Sequence, residues 1–156
     1  MTNDKKTEKY LYAEEQLICA IDLFLQDKFD SCVITLAGAA EEILGKLLPE
    51  HHQALREQTR FFQGMHYELW KEEVSEKNIV SLLNRARNEM KHLCDSDPYV
   101  LDRQELKGHA IRMLKRAITN YKRVFNSQIC YEEQKLNQKI SKYYEQKLNR
   151  TKIRVC

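Results

Sequence analysis

The sequence predicts an all-α protein, and three observations support this fold class. The 156 residues include four glycines and two prolines, too few for the frequent turns that a sheet needs. Apolar residues recur three and four positions apart over long segments, which is the spacing of one helix face. The length suits one domain with a single core. We therefore expect an up-and-down four-helix bundle with additional short helices and a C-terminal helical extension.

The first two helices are predicted from their apolar stripes. The first should run from Thr7 to Gln26. It should bury an apolar stripe of Tyr10, Ala13, Leu17, Ile21 and Phe24, which Leu11, Ile18 and Leu25 widen. The second should run from Cys32 to Leu48, with Asp30 or Ser31 as its N-cap and Pro49 at its end. It is the most apolar segment, with inward residues Val33, Leu36, Ala37, Ala40, Ile43, Leu44 and Leu47. Its small residues at 37–40 place it at the bundle centre, because they let a neighbouring helix approach closely.

Residues 50–77 have a weaker pattern. We expect an irregular segment with one or two short helices, anchored by Phe61, Phe62, Tyr67 and Trp70. The third long helix should start near Asn78 and end before the sequence DSDP, since Pro98 cannot continue it. Its inward residues are Ile79, Leu82, Leu83, Ala86, Met90 and Leu93.

The last two segments complete the predicted domain organisation. A fourth helix should span about Leu101 to Asn126 and bury Leu106, Ala110, Ile111, Leu114, Ile118, Tyr121 and Phe125. Residues 1–127, the helical bundle, carry 19 Lys and Arg against 20 Asp and Glu. Residues 128–156, the basic extension, carry 7 against 3. Four-residue spacing there favours a helix that packs on a partner chain or on the outside of the bundle, with Leu136, Ile140, Tyr144 and Leu148 inward.

Composition and missing motifs exclude several function classes. No apolar run approaches the ~20 residues of a membrane span, and the N-terminal MTNDKKTEKY has no apolar core typical of a secretion signal. The five cysteines form no C-x-x-C pair, which favours a reducing cytoplasmic location, no metal site, and burial of Cys19 and Cys32. Glycine-rich phosphate loops, H-E-x-x-H and G-x-S-x-G are absent, so we expect no cofactor.

The segment NRARNEMKHL, residues 84–93, holds the strongest candidate site. On a helix, Asn88 and His92 share one face, and Arg87 lies about 100° away with a side chain long enough to bend toward them. An imidazole near a helix C-terminus, a guanidinium and an amide are suited to phosphodiester chemistry. With RNA, the 2′-hydroxyl can be the nucleophile, so that no metal is required.

The spacing alone is weak evidence, because two other Arg–His pairs have similar spacing. These are Arg60–His66, in the weakly patterned segment, and Arg103–His109, in the opening turns of a long helix. Only Arg87 is followed by Asn at the end of a core-packed helix. A purely structural interpretation also fits, in which Arg85 pairs with Glu89 and the basic residues complement the helix dipole.

The residues RNEMKH, with FDSCVITLAGAAEEILGKLL in the second helix, resemble the HEPN superfamily of small helical-bundle proteins over residues 10–126. The resemblance implies a homodimer whose two motifs face each other and act as a metal-independent endoribonuclease, of the toxin or antiviral-defence type. It implies that His92 is the acid or base, that Arg87 holds the phosphate and that Asn88 orients them. Glu41 or Glu42 from the second helix and Lys91 would support substrate binding.

Two other functions remain open from the sequence. A non-catalytic dimer of the same family type would bind a nucleotide or a protein partner, such as a small nucleotidyltransferase that acts as an antitoxin. An interaction module would instead use the stripe at 136–148 to assemble chains.

Overall fold

The computed structural model describes residues 4–91, 103–126 and 132–153. These residues form six α-helices and no strand, so the all-α prediction is confirmed. The helices are α1 (Asp4–Leu25), α2 (Asp30–Leu47), α3 (Gln53–Trp70), α4 (Glu76–Lys91), α5 (Arg103–Phe125) and α6 (Glu133–Ile153).

Helix α2 lies between α1 and α5 and makes most of the interhelical contacts. Its residues Ala37, Gly38 and Ala40 are buried, which agrees with the central position predicted from their small size. The largest fully buried apolar side chains come from these three helices and from α6: Phe24, Leu17, Ile21, Ile34, Leu44, Ile111, Leu114, Leu136 and Val33. Fully burying one such side chain contributes roughly 1.5–3 kcal/mol, so this cluster dominates the stability of the fold.

The turn between α1 and α2 is closed by a Schellman motif around Asp27. The amide of Asp27 donates to the Phe24 carbonyl at 3.1 Å, and the amide of Lys28 donates to the Leu23 carbonyl at 3.0 Å. Asp27 has a φ of 55°, in the left-handed region that this motif requires. Its carboxylate accepts from Lys107 of α5 and from Lys139 of α6, which holds the pKa of Asp27 below its usual range. The turn therefore also fixes α5 and α6.

The expectation for residues 50–77 is wrong in its length. A single 18-residue helix, α3, replaces the one or two short helices. Three of the four predicted aromatic anchors are exposed instead of buried: Phe61, Tyr67 and Trp70. The inward face of α3 is mostly polar, with Thr59 buried and Gln63 bonded to the Val74 carbonyl at 2.9 Å. The apolar residues of α3 therefore do not mark its buried face, in contrast to those of α1 and α2.

Helix α4 begins after Ser75, whose hydroxyl accepts from the Asn78 amide at 3.2 Å as an N-cap. Ile79, Leu83 and Ala86 are buried as predicted, whereas Leu82 is exposed. Leu93, also predicted to face inward, lies outside the described residues.

Helix α6 packs on the rest of the domain through its first half. Leu136 and Ile140 are buried in the main core cluster, and Lys139 donates to the Leu25 carbonyl at 2.8 Å. Tyr144 and Leu148, farther along the same stripe, are exposed. Of the two predicted alternatives, packing on the bundle therefore accounts for the first half of the stripe.

Two local expectations are wrong. Phe29, with a φ of 50° and no side-chain hydrogen bond, is the N-cap of α2, in place of Asp30 or Ser31. Cys19 and Cys32 are exposed. Each lies one position from a buried residue, Ala20 or Val33, and one position rotates a helical side chain by about 100°. Apolar neighbours in sequence therefore do not imply burial on a helix.

None of the helices in the described part of the chain is long and apolar enough to cross a membrane.

Candidate functional site

Arg87 lies on the edge of α4 that faces α2. Its neighbour Ala86 is buried in the core, which fixes the rotation of α4 and leaves the Arg87 side chain 14% exposed. The guanidinium Nη2 donates to Oε2 of Glu42, across 45 residues of sequence. The arginine of the candidate motif is therefore anchored to the second helix by a carboxylate.

Glu42 is shared between two cations. Its Oε1 accepts from Lys46 Nζ at 2.9 Å, one turn along α2, while Oε2 accepts from Arg87. The Lys46 hydrogen bond first and the Arg87 hydrogen bond second lower the pKa of Glu42 to about 2, against a smaller opposing effect of burial. Glu42 is therefore ionised at neutral pH and is a permanent acceptor for Arg87.

Gly38 provides the space in which Arg87 lies. A Cβ at position 38 would meet Cδ of Arg87 at 3.0 Å and Nε at 3.1 Å, closer than side chains normally approach. The absence of a side chain at Gly38 thus lets the guanidinium stem cross α2 on its way to Glu42. Sequence reasoning assigned Gly38 only to helix packing, and nothing in its spacing links it to Arg87.

Glu41 belongs to a different environment from Glu42. It is buried, and its backbone carbonyl accepts from Asn120 Nδ2 of α5 at 3.1 Å. Its Oε1 has no hydrogen-bond partner among the described residues. Of the two glutamates that the resemblance leaves open, Glu42 is therefore the one that contacts Arg87.

A buried arginine of α5 lies close to this site and was missed by sequence reasoning. Arg116 is 3% exposed, and its Nη2 donates to Asn84 Oδ1 at 2.8 Å. Burial lowers the pKa of Arg116, the negative charge of Glu41 opposes this, and the positive charge of Arg87 adds to it. The signal that could have found Arg116 is its spacing, because it lies three residues after buried Met113 and four before buried Asn120.

Among the other motif residues, Asn88 is the one whose side chain the structure describes. Asn88 is exposed, on the outer side of α4. Lys91 is the last residue of α4, and its side chain and His92 lie outside the described residues. The described part of the site therefore consists of Arg87 and Glu42 beside Gly38, with Asn88 on the adjoining surface.

The structure also describes residues of the Arg85–Glu89 pair and of the two other Arg–His pairs. Arg85 Nε donates to Glu89 Oε1 at 2.7 Å, which confirms the predicted helix-surface pair. His66 Nδ1 lies 3.0 Å from the Glu72 carbonyl oxygen, so the imidazole is tied to the turn after α3. His109 is partly buried, and desolvation lowers its pKa to about 4. It is therefore neutral near pH 7.

Among residues 4–91, 103–126 and 132–153, no group of three His, Cys, Asp or Glu side chains is arranged to hold a metal ion. Comparisons with protein-family models, with curated proteins and with solved structures find no match to this chain. The HEPN resemblance therefore stays a prediction from the motif and the second helix.

Proposed function

We propose that the protein is a metal-independent endoribonuclease of the HEPN type that uses Arg87, Asn88 and His92. The observation that supports this most is the contact between Arg87 and Glu42. The arginine of the motif is joined to Glu42 of the alanine-rich second helix, one of the two glutamates that the resemblance implies as supporting residues.

The proposed reaction is an internal transfer at phosphorus. The 2′-oxygen bonds to phosphorus while the P–O5′ bond breaks, which leaves a 2′,3′-cyclic phosphate and a 5′-hydroxyl. His92 takes the proton from the 2′-hydroxyl and then returns it to the leaving 5′-oxygen, so that no proton is consumed overall. Arg87 has five N–H donors, so a guanidinium that gives one to Glu42 still has donors for the phosphate oxygens. Asn88, on the surface, orients the substrate.

The wider setting is part of the same proposal. The enzyme would act as a homodimer in the cytoplasm, as a toxin or antiviral effector, with a nucleotidyltransferase-type antitoxin as a further partner. Its scaffold would be an up-and-down bundle of four helices, α1, α2, α4 and α5. The packing of α2 against both α1 and α5 supports this arrangement.

The test is cleavage of end-labelled RNA by the purified protein, with a chelator present, between pH 6 and pH 8. We expect His92→Ala and Arg87→Ala to remove cleavage. Asn88→Ala should reduce it without loss of the fold, since Asn88 is exposed and Ala favours a helix. The matched controls are Arg60→Ala and His66→Ala, which alter an Arg–His pair of similar spacing on α3. RNA left equally intact by the wild-type protein and by His92→Ala would remove this proposal.

A second candidate function, self-association through α3, is supported by a different observation. The three apolar residues Phe61, Met65 and Leu69 are four positions apart and are 63%, 42% and 70% exposed. Such a stripe is typical of a helix that packs on another helix. The exposure of the α3 stripe supports this role for α3 more than for the stripe at 136–148, half of which is buried.

The charges that flank this stripe favour a second copy of the chain as the partner. Arg56 and Arg60 lie in the first half of α3, and Glu72 and Glu73 follow its end. All four side chains are exposed and have no ion-pair partner within the described ranges. Two α3 helices packed antiparallel about Met65 would place the arginines of each copy beside the glutamates of the other.

Sedimentation equilibrium tests this pairing. We expect the wild-type chain to sediment as a dimer and Met65→Glu to sediment as a monomer. Leu148→Glu is the matched control, because Leu148 is also an exposed apolar residue but lies on α6. A wild-type monomer at high concentration, or a dimer that Met65→Glu leaves intact, would contradict the assignment to α3.

A further inference from the structure

A groove with about 380 Å³ of accessible space runs between α4 and the first half of α5, with α3 and α6 at its ends. Its lining combines apolar side chains with basic ones: Phe62, Leu82 and Leu83 with Arg85, Arg112 and Lys147. The volume lies in the range of small-molecule sites, which combine apolar walls with a few polar groups. The groove is separate from the candidate ribonuclease site, because Arg85 and Arg87 point about 160° apart on α4.

Arg112 is the most informative residue of the groove. Its guanidinium is partly buried, and no carboxylate among the described residues pairs with it. By contrast, Arg123 of the same helix is bound to Glu57 through two hydrogen bonds of 3.0 and 2.8 Å. Burial lowers the pKa of Arg112, opposed by the nearby Tyr144 and Tyr143. A cation taken partly out of water without a counter-ion is costly, and an anion in the groove would offset that cost.

The remaining groups around Arg112 leave the groove with positive charge. Glu105 is the acidic lining residue, against the three basic ones, and His109 is neutral near pH 7 because desolvation lowers its pKa to about 4. The charge of Arg85 is partly balanced by Glu89 on the same helix. Gln104 adds an uncharged amide. Arg112 is thus the cation best placed to receive an external anion.

Gly108 allows Tyr143 of α6 to pack close to α5 beside Arg112. A Cβ at this position would lie 3.3 Å from the Tyr143 hydroxyl and 3.6 Å from Nη1 of Arg112, and would fill the space next to the guanidinium. Gly108 itself is buried, and its backbone lies beside the Arg112 guanidinium. The amide of Gly108 is also a natural reporter of anything bound there.

We propose that this groove binds a small organic anion with an apolar body, whose phosphate or carboxylate pairs with Arg112 while its body lies against Phe62 and Leu82. A guanidinium binds either oxyanion through two parallel hydrogen bonds. The apolar wall then distinguishes such a molecule from an inorganic anion. This inference does not depend on ribonuclease activity.

The test is a titration of ¹⁵N-labelled protein followed by amide NMR, with phenyl phosphate as the probe. The chain has four glycines, whose amide signals resolve well. We expect phenyl phosphate to shift the Gly108 signal, with inorganic phosphate and phenol each binding at least tenfold more weakly. Gly64, which has open space around it, is the control. A shift of Gly38 in its place would put the anion at Arg87 and overturn the proposal, as would an unshifted Gly108 at millimolar ligand.

Variants of Arg112 separate binding from folding. Arg112→Gln should weaken phenyl phosphate binding about tenfold to a hundredfold, the value of a charged hydrogen-bonded contact, and Arg112→Lys should weaken it less. Arg56→Gln on the exposed surface of α3 is the matched control and should bind as the wild-type protein does. Unchanged Gly38 and Gly45 signals show that each variant is folded. Equal binding by Arg112→Gln and the wild type would overturn the proposal.

Discussion

Glu42 provides the sharpest quantitative test of the candidate site, because it contacts two cations in different surroundings. Lys46 is 60% exposed, whereas the Arg87 side chain is 14% exposed. We therefore change each partner to glutamine, singly and in pairs with Glu42→Gln. The two double-mutant cycles isolate the two pairwise energies.

The expected magnitudes follow from the pKa of Glu42 and its exposure. A pKa of about 2 in place of 4.5 would correspond to ~3 kcal/mol without solvent screening. Because the Glu42 side chain is 41% exposed, screening reduces the total to about 1–1.5 kcal/mol. Most of this should belong to Arg87, at about 1 kcal/mol, since an exposed i, i+4 pair such as Glu42 and Lys46 gives roughly 0.3–0.5 kcal/mol.

The assay is urea unfolding at pH 7 in low salt and in 0.5 M NaCl. We expect the Lys46 coupling to fall strongly in high salt and the Arg87 coupling to persist, because a partly buried pair is screened less. Since the folded pKa of Glu42 is lowered, its contribution is complete above pH 4.5 and is lost as the pH falls toward 2. A Lys46 coupling larger than that of Arg87, or an Arg87 coupling abolished by salt, would refute this account of the site.

Three further predictions concern stability. The free energy of unfolding of the wild type should fall by about 1–3 kcal/mol between pH 6.5 and pH 4, because His109 takes up its proton at a higher pH in the unfolded chain than in the folded one. His109→Gln should show a smaller fall when urea unfolding is measured over the same pH range. Gly45→Ala should lower the free energy of unfolding by about 1–3 kcal/mol, since the new Cβ would meet neighbouring side chains at 3.0 and 3.1 Å. Gly64→Ala, in open space on a helix, should raise the free energy of unfolding by up to ~1 kcal/mol. Equal thermal stability of the two variants would contradict this. In urea unfolding, Leu114→Ala should lower the free energy of unfolding by about 2–5 kcal/mol and Leu148→Ala by under ~0.5 kcal/mol. Similar losses for the two variants would show that the core is misassigned.

Apolar periodicity was sufficient to predict both ends of α1 and α2, the start of α4 and the end of α5 to within about three residues. It worked because each helix buries one face, so that the stripe and the core coincide. It failed for α3, whose apolar residues are mostly exposed and whose inward face includes Thr59 and Gln63. It also predicted burial at the edges of the stripes, where Leu11 and Leu82 are in fact exposed.

The candidate site was predictable in its residue types but not in its contacts. Glu41 and Glu42 are adjacent in sequence, so either could have reached Arg87. They differ by about 100° around α2, and only the packing of α4 and α5 decides that Glu42 meets Arg87. The burial of Arg116 was missed because a charged residue in an apolar stripe is more often assigned to the solvent face.

The central claim is that the chain cuts RNA through its 2′-hydroxyl at the Arg87 site. The most direct measurement compares an RNA oligonucleotide with its 2′-O-methyl counterpart, incubated with wild-type protein and a chelator. We expect that only the unmodified RNA is cut and that its products end in a 2′,3′-cyclic phosphate. Cleavage of both oligonucleotides, or of neither, would contradict it.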